Sequence, residues 1–184
     1  MTTEMDAERA AFFRRSYSAV DGLWFMMVEE RLGFEAALDI DAQVWQVMAK
    51  IQARELRRLL DAPMGIDGLA QCLETKFAWE GFDAQTERLD VNTLRCVLQS
   101  CPWHEAMLRS GREHLSGRVG ERICPVEFAV WANEFAVADQ PIEYALDALL
   151  CQGQERCILT FHQRQTSAAF GSGEVRGYNR GVDT

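Results

Sequence analysis

The hydrophobic period of this chain changes at Lys76, and that change restricts the possible folds more than any other feature. Upstream, apolar residues recur at Ala11, Phe12, Tyr17, Val20, Leu23, Trp24, Met27 and Val28, tracing one face of a helix over 7–32 that Gly33 ends. Residues 34–38 read as a short helical connection. Asp39 or Asp41 reads as the N-cap of a longer helix over 42–60, with Trp45, Met48, Ile51 and Leu59 on its apolar stripe. Arg54, Arg57 and Arg58 load the C-terminal half of that helix, where positive charge suits the helix dipole. Ala62-Pro63-Met64-Gly65 then breaks the pattern ahead of a short helix over 67–75. From Lys76 the period becomes two. Residues 77–82 and 89–98 alternate as strands around a polar turn at 83–87, and 142–150 and 157–162 alternate again around a reversal at Gly153. The expected fold class is α+β, a single domain over 1–163: a helical hairpin, 6–62, packed on a four-stranded antiparallel sheet within 76–163, with short helices inserted between the strand pairs. Residues 164–184, rich in Gly and polar side chains without an apolar period, are expected to form a disordered tail.

A chain of 184 residues with 48% hydrophobic side chains can bury one substantial core. Its formal net charge of -9 argues against nucleic acid, whose binding draws on clustered Lys and Arg. No apolar run approaches the roughly 18 residues of a membrane span, and the start Met-Thr-Thr-Glu-Met-Asp lacks the basic and apolar regions of a secretory signal. A cytoplasmic location is expected, with the six cysteines as free thiols or metal ligands. The acidic, tryptophan-rich helical front could support a homodimer.

Four of those six cysteines fall between Cys101 and Cys157, at the ends of expected elements, where chemistry is usually mounted. Cys101-Pro102-Trp103-His104 and Cys124-Pro125-Val126-Glu127 share a construction: proline is favoured as the first residue of a helix, so each cysteine would cap one. Helices are accordingly expected over 103–109, over 112–123 and from Pro125 onward. A thiol at a helix N-terminus faces unpaired N–H groups, which lowers its pKa. Cys151 and Cys157 flank the closing hairpin, whereas Cys72 and Cys96 fall inside elements and read as small core residues.

Several uses of these residues are open. Cys101 or Cys124 could act as a nucleophile, with His104 moving protons and Glu127 orienting the imidazole or activating water. Cys101, Cys124, Cys151 and Cys157 could hold zinc or another transition metal, although no Cys-x-x-Cys pair is present. Trp24, Trp45, Trp103 and Trp131 could line an apolar pocket for a small molecule. All six cysteines could equally be buried apolar residues without chemistry. Glu29 and Glu30, five and six residues beyond Trp24, read as a solvated acidic edge.

The Cys-Pro-aromatic run at 101–103, the Cys124-Pro-Val-Glu127 segment and Gly153-x-x-x-Cys157-x-x-x-Phe161 together resemble the L-2-amino-thiazoline-4-carboxylic acid hydrolase-like family. The front end, Asp21-Gly-Leu-Trp24 through Val28-Glu29-Glu30 and Gly33 to Trp45, looks like bacterial and archaeal relatives of that family. The resemblance implies hydrolysis of a cyclic C=N bond in a sulfur-containing amino-acid analogue, with Cys101, Cys124 and Cys157 matching the family's cysteine pattern. Glu127 stands where the family tends to have Asp. The closing hairpin also resembles the end of 4-vinyl reductase-like domains, which implies small-molecule sensing, with zinc held by nearby cysteines.

Overall fold

Alternation along the last strands explains the sheet. The computed structural model describes residues 2–165, and the tail expected over 164–184 lies outside the described residues from 166 onward. Strands β1 (Ala84–Arg88), β2 (Thr93–Leu98), β3 (Ile142–Ala148) and β4 (Cys157–Gln163) pair antiparallel in the order β1-β2-β4-β3. In β2 and β4 every second side chain points inward, and Leu94 stands opposite Phe161 and Cys96 opposite Leu159. This register buries both apolar sets on one face, and slipping it by one residue would expose them.

Among the described residues, five α-helices cover that face and its flank. α1 (Thr2–Leu32) turns at Gly33, whose φ of 86° suits glycine, into α2 (Phe34–Leu60). α3 (Ile66–Glu80), α4 (Pro102–Arg109) and α5 (Glu113–Phe135) complete the set. The N-terminal helices pack on the sheet, α3 directly and the α1–α2 hairpin by way of α5. Ion pairs Glu35–Arg118, Asp39–Arg122 and Arg54–Glu134 keep a near-constant offset in number, so α2 and α5 run parallel. Being largely exposed, such pairs set register more than they add stability.

The main core joins Leu69, Leu73 and Phe77 of α3 to Phe128, Trp131 and Phe135 of α5 and to the inner sheet face. Each such side chain stabilises by roughly 1.5–3 kcal/mol when fully buried. A second cluster of Phe25, Leu38, Ala42, Trp45 and Ile123 sits between α1, α2 and α5, with Trp103 packed against it.

Three expectations need correction. Residues 77–80 are not strand, because α3 continues through them: Leu69, Leu73, Lys76 and Glu80 repeat at helical spacing and are all buried, and a short apolar run cannot by itself separate the two periods. The first strand instead occupies Ala84–Arg88, most of the stretch read as a polar turn. Pro125 does not begin a helix. It lies inside α5, where Ser116, Gly120, Ile123, Glu127, Trp131 and Phe135 keep one buried face on both sides of it. Packing along that face outweighs the hydrogen bond and the clash that an internal proline costs, about 3 kcal/mol.

The apolar stripes also differ. On α2 the buried line passes through Ala49, Ala53 and Leu56, while Ile51 and Leu59 face outward. On α1 Phe25 alone is buried among the residues whose burial is described, and Phe12, Val20, Leu23, Trp24 and Met27 are exposed.

Candidate functional site

The start of α4, the middle of α5, the 3-10 turn Leu150–Gln152 and the start of β4 meet around a cavity of about 430 Å³. Cys101, Cys124, Cys151 and Cys157, far apart along the chain, all reach its wall, as do His104, Glu127 and Trp103. The convergence is built by close approach: Gly117 lies under the Cys151 carbonyl, and a Cβ at Gly120 would overlap Cys151 Sγ. The Leu150 N–H donates to Cys157 Sγ at 3.2 Å, which ties the turn to β4.

The four thiols line one cavity, and burial raises the pKa of each. Cys101 does cap α4 as expected, with Pro102 in the first turn. Burial pushes its pKa up to about 12, and the backbone N–H groups of His104 and Trp103 recover only part of that rise. Cys124 sits in mid-helix, so the dipole argument for it is overturned: burial, then Glu127 on the same face, raises it well above the usual thiol range. Burial also pushes Cys151 up to about 11 and raises Cys157. Thiolate is therefore scarce at neutral pH. Iodoacetamide near neutral pH is expected to label Cys101 and Cys124 on the order of a hundredfold more slowly than a free thiol, as peptide mass spectrometry over a time course would show. Labelling of either at the free-thiol rate would contradict the burial.

Glu127 is engaged elsewhere than expected. Lys76 Nζ lies 2.8 Å from Glu127 Oε1, close enough for an ion pair although the angle is not that of a directed hydrogen bond, and it also bonds Glu80. Gln52 Nε2 donates to Glu80 Oε1 at 2.7 Å. Burial pulls the Lys76 pKa down, but Glu127 and Glu80 more than restore it, so the ammonium stays charged. No hydrogen bond or ion pair joins His104 to Glu127: the His104 Nδ1 shares a 2.7 Å hydrogen bond with Ser116 Oγ. Among the described residues, no three His, Cys, Asp or Glu side chains are grouped so as to hold a metal ion.

The tryptophans divide. Trp103 and Trp45 line the cavity, their ring centroids 5.4 Å apart and nearly perpendicular. Trp24 is 56% exposed and off the wall, whereas Trp131 is fully enclosed in the main core, stacked on Phe135. Glu29 pairs with Arg112 and is half-buried, so it is not a free solvated edge. Cys72 and Cys96 are core residues, as expected.

The residues that sequence reasoning passed over are two carboxyls that share the cavity with the thiols. Asp21, from α1, accepts a 2.8 Å hydrogen bond from Trp103 Nε1. Burial raises its pKa, and the indoles of Trp103 and Trp45 partly offset that. Asp41, read as a helix cap, lies within the buried face of α2 between Leu38 and Trp45 and lines the cavity. A carboxylate at an apolar-periodic position was the available signal. Burial, then the neighbouring Asp21, pushes Asp41 up to about 7. Because its folded pKa exceeds the unfolded value of about 4, folding favours the protonated form. Stability attributable to Asp41 is therefore greatest below about pH 4 and falls as pH rises to about 7. Asp41→Asn is expected to flatten that decline in urea melts across this range; an unchanged slope would assign the decline to other groups.

A family model described as a family of unknown function, DUF6125, matches residues 7–150. Comparison with curated protein sequences gives no match. Among solved structures, the crystal structure of the phenol-responsive sensory domain of the transcription activator PoxR with phenol aligns with a TM-score of 0.47 and 12% identity, covering 79% of this chain and 73% of that one.

Proposed function

The chain belongs to DUF6125, a family of unknown function, and we propose that it binds a small organic molecule in the cavity between α1, α2, α4, α5 and the closing hairpin. The observation that carries this reading is the cavity itself: about 430 Å³, walled by Phe25, Trp45, Phe82, Trp103 and Phe128, with a few polar groups facing in. That combination of apolar wall and sparse polar groups is typical of ligand sites, which run from about 300 to 1,000 Å³. Calorimetric titration with neutral aromatics such as 2-naphthalenemethanol is expected to show one saturable site. Ala106→Phe, on the wall, is expected to weaken binding by about tenfold or more, since overfilling a site forfeits its contacts. Absence of saturable binding by any neutral or charged aromatic would end the proposal.

A second reading is hydrolysis of a cyclic C=N bond, as in the hydrolase-like family the sequence resembles. It is favoured by the arrival of Cys101, Cys124, His104 and Glu127 on one wall, and disfavoured by thiols whose pKa burial has raised. Turnover of 2-amino-thiazoline-4-carboxylate, lost in Cys101→Ser or Cys124→Ser with folding retained, would establish it. Metal content of protein purified without added metal decides whether zinc belongs to the site.

The exposed apolar residues Val20, Leu23, Trp24 and Met27 on α1 support a homodimer through that helix. Leu23→Glu is expected to convert a dimer to monomer in sedimentation velocity, and a wild-type monomer at all concentrations would remove this proposal. No helix among the described residues is long and apolar enough to cross a membrane.

A further inference from the structure

Two carboxyls enter one cavity from neighbouring helices, and among the described residues no Lys or Arg pairs with either. Asp21 comes from α1 and Asp41 from α2. Lys76, behind the wall, is held between Glu80 and Glu127, and Arg112, on the wall, is paired with Glu29. Asp21 takes the Trp103 indole N–H. Asp41 is only 6% exposed, and no protein hydrogen bond to its side chain is present among the described residues. An unpaired buried carboxyl costs free energy that a ligand of opposite charge removes. The surrounding groups suit a cation. Trp45 and Trp103 line the same cavity, and aromatic rings can attract a cation over their faces.

We propose that the ligand is a hydrophobic organic amine, its ammonium against Asp21 and Asp41 and its apolar body among the phenylalanines of the wall. The proposal rests on the ligand-binding reading and adds the chemistry of the ligand's head group. A carboxylate ligand would bring a third negative charge to the pair. An alcohol could satisfy one hydrogen bond but leave the charge unpaired.

The test holds the apolar body constant and varies the head group. 2-Naphthalenemethylamine, 2-naphthalenemethanol and 2-naphthoate are titrated calorimetrically into the full chain slightly above neutral pH. The amine is expected to bind at least about tenfold more tightly than the alcohol, and the naphthoate more weakly than both. Asp41→Asn is expected to abolish the amine's advantage, so that amine and alcohol bind the variant with similar affinity. Should circular dichroism show Asp41→Asn unfolded, Asp21→Asn makes the same comparison with the same expectation. An alcohol that binds as tightly as the amine, or an amine preference that survives the substitution, overturns the amine assignment and leaves the cavity a binding site. Failure of all three to bind overturns both.

Discussion

Lys76→Met is expected to cost about 3–5 kcal/mol of folding stability, the usual consequence of removing one partner from a buried ion pair. Lys76 is 3% exposed and neutralises two carboxylates, Glu80 on its own helix and Glu127 on α5. Methionine fills nearly the same volume, so the loss would come from charge rather than from a cavity. Both carboxyls would then have to take up protons or stay ionised without a partner, and either is expensive away from water. Urea denaturation reads the loss, and the midpoint of thermal unfolding should fall on the order of 10 °C. Adding Glu80→Gln and Glu127→Gln to Lys76→Met is expected to recover much of the stability, because replacing all members of a buried charged group is often neutral. A loss below about 1 kcal/mol for Lys76→Met would mean that water reaches the cluster and screens it.

Gly68→Ala is expected to cost roughly 3 kcal/mol, at the upper end for adding one carbon to a packed interior. A Cβ at Gly68 would overlap the Pro63 carbonyl oxygen and press on the Phe135 ring at 3.3 Å. The obstacle is backbone, which cannot rotate away as a side chain can. Relief would require α3 to move off the 62–65 turn, and α3 carries Leu69, Leu73, Lys76 and Phe77 into the core. Since alanine is the better helix former by about 1 kcal/mol, a stability equal to or above wild type in chemical denaturation would show that the turn yields freely. Gly22→Ala, where an added Cβ meets nothing within 4 Å, serves as the control and is expected to be neutral or slightly stabilising.

These two residues mark where the sequence stops being readable. By sequence Lys76 stands at the edge of a strand, because Phe77-Ala-Trp79 alternates; only its burial beside Glu127, fifty-one positions away, reveals a charged residue on the inner face of α3. Gly68 carries no local signal, since its constraint is a carbonyl from the preceding turn brought back over the helix. By contrast, β2, β4 and the Cys101-Pro102 start of α4 could be read directly, because alternation and proline's fixed φ act over a few neighbouring residues.

The candidate site divides the same way. Cys101 and Cys157 reach the cavity from element ends, as their places in the sequence lead one to expect, whereas Cys124 and Glu127 reach it from the middle of α5, which only the fold shows. Their chemistry was not anticipated. The dipole at a helix start is a local effect of modest size, whereas the burial that raises the Cys101 thiol to about 12 is supplied by the elements that close around it. Asp41 shows the same limit: on its own helix it is an ordinary acid, and Asp21, twenty positions earlier on α1, is what makes it half of an unpaired couple.

What the amino-acid order alone determined is therefore the α+β class, the inward sets of β2, β3 and β4 and the residue types available to the cavity, which follow from composition and from periodicities of two and 3.6. Tertiary packing decided whether Pro125 ended a helix, which charges were neutralised and which thiols and carboxyls lost their water. Solvation is a sum over every neighbour a group acquires, and those neighbours are chosen by the fold rather than by adjacency along the chain.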